Sequence, residues 1–181
     1  EIAEKSGMPL SVIRPRTILG EGRLGIFQIL FERIRRGRDI YVIGDGLNKF
    51  QFLHVADLME AYLAVLACRK PGVYNVGTDR FGTLRECLGN LIRFAGSRSR
   101  IRELPAPLAI GALTALDRLK LSPLSPWQYR TYHKNFYFDL SGISALGWKP
   151  RYSNDEMMCE SYRWYLENSG TLQTAGLSPH R

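Results

Sequence analysis

The chain reads as an α/β fold built on parallel strands, and three observations predict it. Short apolar runs closed by Gly or Pro alternate along the chain with longer segments of helical periodicity. The run Leu10 to Ile13 is continuously apolar, the signature of a strand buried in a parallel sheet. Apolar residues make up 45% of the 181 residues, enough for a sizeable core and too many for wholesale disorder.

Residues 1–6 read as the end of a helix, stopped by Gly7 and by Pro9. After the Leu10–Ile13 strand, Ile26, Ile29, Leu30 and Ile34 recur at helical spacing and predict a helix closing near Gly37. Ile40 to Ile43 is a second strand, ended by the Gly44-Asp45-Gly46 turn, in which both glycines permit positive φ and Asp45 is an Asx-type residue. Phe50 to His54 is extended and leads into VADLMEAYLAVLAC, an amphipathic helix from Val55 that KPG (Lys70 to Gly72) stops. Val73 to Val76 is a strand. Thr83 with Glu86 forms a capping box that opens a helix ending near Gly96. Ile101 to Leu104 is extended, PAPLAIGALTALDRLKL is helical despite Gly111, and SPLSPWQYRTYHKN is a short helix with loops. Asn135 to Asp139 is extended, Asp139 caps a small helix reaching to Gly147, and Ser153 to Glu167 is the last long helix.

Bulk properties exclude several classes. No apolar run approaches the roughly 20 residues that cross a bilayer. The opening EIAEKSGMPL has neither the basic head nor the apolar body of a signal peptide. A soluble, cytoplasmic chain without a membrane partner is therefore expected. Because that opening lacks an initiator Met and resembles a helix already under way, a piece of a longer protein is expected too. Cys68, Cys87 and Cys159 are odd in number and far apart, which favours structural thiols over a zinc site or disulfides. The net charge is +8, clustered at RIRRGR (Arg33 to Arg38) and RSRIR (Arg98 to Arg102). Neither cluster is interleaved with aromatics, so solvated helix ends and loops explain them better than nucleic-acid binding.

GEGRLG, Gly20 to Gly25, spells the dinucleotide-binding G-x-G-x-x-G. In that fingerprint the first glycine turns directly off a strand. Here a strand ending at Arg14 leaves Pro15 to Leu19 in between, and Asp45 sits in a turn of its own instead of closing the second strand of one unit. The match is a decoy.

RPRTILGEG (Arg14 to Gly22) instead resembles the R-P-x-x-[IV]-x-G-x-G segment of the NAD-dependent epimerase/dehydratase family, the extended short-chain dehydrogenases/reductases. The resemblance continues in order. GDGLNKFQFLHVADLMEAYLAVL (Gly44 to Leu66) is similar to G-D-G-x-x-x-R-D-F-x-H-V-x-D and its helix. VYNVGT (Val73 to Thr78) is similar to Y-N-[IV]-G-[TS], and FYFDLSGISALGWKPRYS (Phe136 to Ser153) to D-x-S-K-x-x-x-x-L-G-W-x-P. The family's glycine-rich cofactor turn and its Ser/Thr with Tyr-x-x-x-Lys have no match; Tyr129 and Lys134 lack that spacing.

The resemblance therefore implies the C-terminal part of a Rossmann-type parallel sheet plus a small mixed α/β substrate-binding domain. Residues 1–39 would be the end of the Rossmann domain and a crossover helix. Residues 40–169 would be mainly the substrate-binding subdomain, with some elements returning to the sheet, and 170–181 a flexible tail. It implies Pro15, Arg16, Thr17 and Ile18 at the nicotinamide end of NAD or NADP, with backbone groups of Arg16 and Thr17 meeting the carboxamide. It implies Thr17, Val42, Ile43, Phe50, Arg130 and Lys134 as substrate contacts. At Phe50-Gln51 relatives usually carry Arg-Asp, and phenylalanine cannot clamp a diphosphate. Arg130 or another cation would substitute, or the substrate carries no diphosphate. Plain core packing of Val42 and Ile43 and a structural turn at Thr17 are equally good readings. His54 orients a strand-to-helix junction, with Asp57 in the helix's first turn; Trp148 anchors core.

The function so implied is the substrate-binding portion of an NAD(P)-dependent sugar-nucleotide epimerase/dehydratase-like oxidoreductase, inactive alone and binding the cofactor weakly. The catalytic Tyr/Lys pair and the cofactor turn would be supplied upstream. A small molecule, a nucleotide sugar for instance, is the expected partner, with a homodimer left open. Two rivals stand beside this reading: a reductase of a non-nucleotide carbonyl, with Phe50 lining an apolar pocket, and a non-catalytic binding module.

Overall fold

The computed structural model describes residues 7, 9–121 and 126–172. The helix end expected over residues 1–6 lies outside the described residues, as do residues 173–181 of the expected tail.

Strand β1 (Ser11–Pro15) runs parallel to β5 (Gly72–Val76), with Ser11 opposite Gly72 and Pro15 opposite Val76. Proline is tolerated because it ends the strand, and the Arg16 N–H carries the ladder one residue further to the Val76 carbonyl at 2.9 Å. The strand is not buried, contrary to expectation: Leu10 and Val73 are more than half exposed, and Ile13 is the one half-buried residue of β1. Its apolar run is covered neither by a second neighbour nor by a full layer among the described residues.

After Arg16 a second strand starts at once, β2 (Thr17–Leu19), parallel to β4 (Phe52–His54) with Thr17 opposite Phe52. The sequence predicts no strand over Pro15 to Leu19, so β2 is a correction to that expectation. Helix α1 (Phe27–Arg35) follows as expected, but it buries Phe27, Phe31 and Ile34, leaving Ile29 at the surface. The spacing is helical in both readings, and the larger aromatic pair wins the core face. Strand β3 (Ile40–Ile43) pairs in parallel with β6 (Ile101–Leu104). Gly44 and Gly46 both take positive φ, +79° and +72°, and Asp45 accepts the Leu47 N–H at 2.9 Å, as the turn chemistry predicts.

Helix α2 (Val55–Cys68) is capped by His54, whose Nδ1 accepts the Ala56 N–H at 3.2 Å. Asp57 is buried and accepts the N–H groups of Arg151 and Tyr152 at 3.0 and 3.2 Å, anchoring the helix to the segment after Trp148. Helix α3 (Leu84–Phe94) has both halves of its capping box, Glu86 N–H to Thr83 Oγ1 and Thr83 N–H to Glu86. Helices α4 (Ala106–Arg118), α5 (Pro126–Thr131) and α6 (Ser141–Ser144) follow. Asp139 accepts the Ser141 N–H and hydroxyl just before α6, an Asx-type turn; the N-cap position itself is Leu140, so the expected Asp139 cap is displaced by one residue. The last helix, α7 (Asn154–Leu172), runs past both the expected end at Glu167 and the expected tail start at Gly170.

Two cores result. Phe31, Ile34, Phe50, Phe52, Leu91, Met157 and Met158 pack together between α1, α3, α7 and strands β3 and β4. Leu53, Ala61, Tyr74, Val76, Ile143 and Trp148 pack under α2 and β5. The basic clusters are largely tied down locally. Arg33 donates twice to the Asp39 carbonyl, Arg102 pairs with the Asp39 carboxylate at 2.8 Å, and Arg35 and Arg36 hold Glu32.

Candidate functional site

Parallel strands present ligands at their carboxyl ends. Pro15 is the carboxyl end of β1 and Thr17 the first residue of β2, so the single residue between them, Arg16, stands where two parallel pairs diverge. Pro15, Arg16 and Thr17 line a cavity of about 490 Å³ whose other walls are Phe136 and Phe138.

The aromatic wall is held by a zipper of main-chain and amide bonds. Asn48 donates to the carbonyls of Tyr132 and Lys134, and the Asn135 side chain accepts the Lys49 N–H. The Phe136 N–H donates to Lys49 O at 2.8 Å, and the Gln51 N–H to Phe136 O at 3.1 Å. Gln51, fully buried, donates to Thr78 O at 2.7 Å and accepts the Phe138 N–H at 2.8 Å. Asn154, the first residue of α7, bonds both edges of Phe52's approach, the Phe52 N–H and the Phe50 carbonyl. The alternation in F-Y-F puts Phe136 and Phe138 on the same side and half-buried, while Tyr137 between them is about half exposed.

Arg16 carries the charge of this cavity. Its guanidinium carbon lies 3.1 Å from the Phe136 ring centroid and 4.4 Å from that of Phe138. One amino group donates to the Phe136 carbonyl at 3.1 Å, and Nε is buried without a partner. Burial lowers its pKa to about 10, which leaves it cationic at neutral pH.

The sequence-predicted residues are only partly brought together. Pro15, Arg16 and Thr17 share the cavity; Ile18 does not line it and sits in the β2–β4 ladder opposite Leu53. The Arg16 N–H is spent on Val76, so it is not free for a carboxamide. Val42 is core, and Ile43 is half-buried beside it at the end of β3. Phe50 is 3% exposed and packs on Phe52, Tyr132 and Phe136, so it supports the aromatic wall from behind and is not itself among the residues lining this cavity. Arg130 and Lys134 are exposed, with the Arg130 guanidinium 5.9 Å from the Tyr129 ring. Sequence reading missed Phe138 and the Arg16 side chain. The two-residue alternation of Phe136 and Phe138 was a usable signal; that they meet Arg16, far away in sequence, was not.

Two other features resolve as packing. His54 stacks on Tyr152 at 3.8 Å, and its Nε2 lies 3.1 Å from Glu160 without hydrogen-bond alignment. With Nδ1 occupied as a cap, it serves the junction. The GEGRLG stretch does follow a strand directly, since β2 ends at Leu19, so the gap inferred from sequence is absent. The topology still opposes the dinucleotide fingerprint. The strand before the turn pairs with β4 and the strand after α1 with β6, so no βαβ unit of neighbouring strands forms. A Cβ on Gly20 would lie 2.5 Å from Val55 Cγ1, so this glycine is there to let α2 approach.

The model of the NAD dependent epimerase/dehydratase family matches residues 1–77 of the chain. Among relatives, it is 43% identical over 183 residues to uncharacterized protein y4nG of Sinorhizobium fredii, which covers all of this chain and 46% of that protein. Among solved structures, it is similar to the UDP-glucose 4-epimerase of Thermotoga maritima with UDP-glucose. The TM-score is 0.67 at 21% identity, over 92% of this chain and 49% of that one. It is equally similar, at TM-score 0.67 and 15% identity, to the UDP-glucuronic acid 4-epimerase of Bacillus cereus in complex with NAD, over 93% of this chain and 47% of that one. The chain spans about half the length of the relatives it matches. Among the described residues no helix is long and apolar enough to cross a membrane.

Proposed function

We propose that this chain is the substrate-holding portion of an NAD(P)-dependent sugar-nucleotide epimerase/dehydratase-like oxidoreductase. One observation carries the reading: the cavity of Pro15, Arg16, Thr17, Phe136 and Phe138 sits at the carboxyl end of a parallel strand, where α/β folds take their ligands. The two UDP-sugar epimerases of similar fold support a nucleotide sugar as ligand. Thr17 Oγ1 is suited to a sugar hydroxyl, and the Phe rings to an apolar sugar face.

The fit to the dinucleotide is limited to one end. Pro15 and Thr17 would line the nicotinamide end, the Arg16 N–H being already bonded to Val76 O, and the cofactor, when bound, supplies hydride transfer. The described residues form no glycine-rich strand-to-helix turn within a βαβ unit for its pyrophosphate. The chain by itself therefore binds NAD(P)H weakly and has no turnover. Thermal denaturation with ligand tests the reading: UDP-glucose raises the melting temperature, and Thr17→Val reduces that rise at unchanged ligand-free stability. An equal rise with UDP-glucose in both proteins, or a larger rise with NADH than with UDP-glucose, would contradict it.

A further inference from the structure

Arg16 is 6% exposed and has no carboxylate within ion-pair distance among the described residues. A guanidinium has five N–H donors. Here one amino group serves the Phe136 carbonyl, and Nε is buried and unpaired. The cation is flanked by the Phe136 ring at 3.1 Å and the Phe138 ring at 4.4 Å, which offset part of its desolvation but satisfy no N–H. Burying a charge without a counter-ion costs stability, and proteins keep such groups where something else neutralises them. In this fold that place is a cavity wall.

We propose that Arg16 is an anion-recognising residue of the cavity, taking an oxyanion group of the bound ligand, carboxylate or phosphoryl, on its unpaired N–H edge. A planar fork backed by aromatic rings is preorganised for two parallel bonds to such a group. The proposal rests on reading this cavity as a substrate site and names the chemistry that its occupant must carry.

Calorimetric titration of UDP-glucose, UDP-glucuronate and UDP, with the wild-type chain and with Arg16→Met, separates the two sources. If the anion is a sugar carboxylate, the wild type prefers UDP-glucuronate over UDP-glucose by about tenfold or more, and Arg16→Met removes the preference. If it is a phosphoryl group, the substitution weakens all three by a similar factor of about ten. Affinities unchanged within about twofold would overturn the proposal. A second measurement is independent of variant folding and of the sugar-nucleotide reading: the Arg16 Nε–H resonance of the wild type, followed with D-glucuronate, inorganic phosphate and D-glucose. A saturable shift with either anion and none with glucose is expected. A resonance that neither anion moves, or that glucose moves as far, would defeat the anion site. Absence of sugar-nucleotide binding alongside an anion-induced shift would instead defeat the proposed function alone.

Discussion

Gln51 illustrates how a single residue here positions a wall of the cavity. Its buried amide uses both ends, donating to Thr78 O and accepting from the Phe138 N–H. Gln51→Leu would strand both partners, and the expected loss is about 2–4 kcal/mol in urea unfolding. The same side chain explains Gly77. A Cβ there would come within 2.5 Å of the Gln51 amide carbon, which cannot swing away while both bonds hold. Gly77→Ala should cost about 1–3 kcal/mol, and Gln51→Ala/Gly77→Ala should cost less than the sum of the single changes. Strict additivity in that cycle would mean the contact is not what constrains Gly77. Such couplings are invisible in sequence. The R-P-R-T loop stands out in the sequence as a candidate, and three of its residues line one cavity, yet the sequence points to Arg16 only for its backbone, because the ring residue whose carbonyl holds its side chain comes 120 residues later.

At the scale of elements, α1 and α7 are joined through one carboxylate. Glu32 accepts from Arg35 at 2.7 and 2.8 Å and is also bonded by Arg36 and the Tyr165 hydroxyl. Arg35's hydrogen bonds, first among these, hold its pKa well below the usual carboxylate value, at about 2. Since the folded pKa is depressed, the stabilisation is present above the ordinary carboxylate range and is lost as pH falls toward about 2. Tyr165 is shifted the opposite way, up to about 12, by burial first and then by Glu32. Its contribution is present below the ordinary phenol value near 10 and is lost as pH rises toward about 12. Unfolding free energy against pH should therefore lose part of its acid slope in Glu32→Gln and part of its alkaline slope in Tyr165→Phe. Curves unchanged in shape would refute the linkage.

Helix α2 shows where periodicity misleads. It buries Asp57, Ala61 and Val65 but leaves Met59, Tyr62, Leu63 and Leu66 at the surface. An apolar residue in VADLMEAYLAVLAC therefore does not reveal which side packs. Leu63→Lys should change stability by no more than about 0.5 kcal/mol, whereas Val65→Lys should lose several times that in the same denaturation assay. The capping signals fared better, because they are local: Thr83 with Glu86 and the Gly44-Asp45-Gly46 turn form as their chemistry requires. Strand β2 is not legible in the sequence, because a proline ordinarily ends extended structure and the partner strand β4 lies beyond a helix and another strand.

Across the whole molecule, the α/β class and the parallel pairing were readable from alternation alone, but which strands pair was not. β1 with β5, β2 with β4 and β3 with β6 are all long-range choices. That pairing pattern among the described residues opposes the glycine motif as a nucleotide turn and turns attention to the carboxyl end of β1. The most direct measurement is the set of backbone amide shifts that UDP-glucose induces in this chain. Saturable changes centred on Arg16, Thr17, Phe136 and Phe138, with Gly20 to Gly25 unmoved, are predicted; changes centred on Gly20 to Gly25, or none near β1, would contradict a substrate-holding role for this cavity.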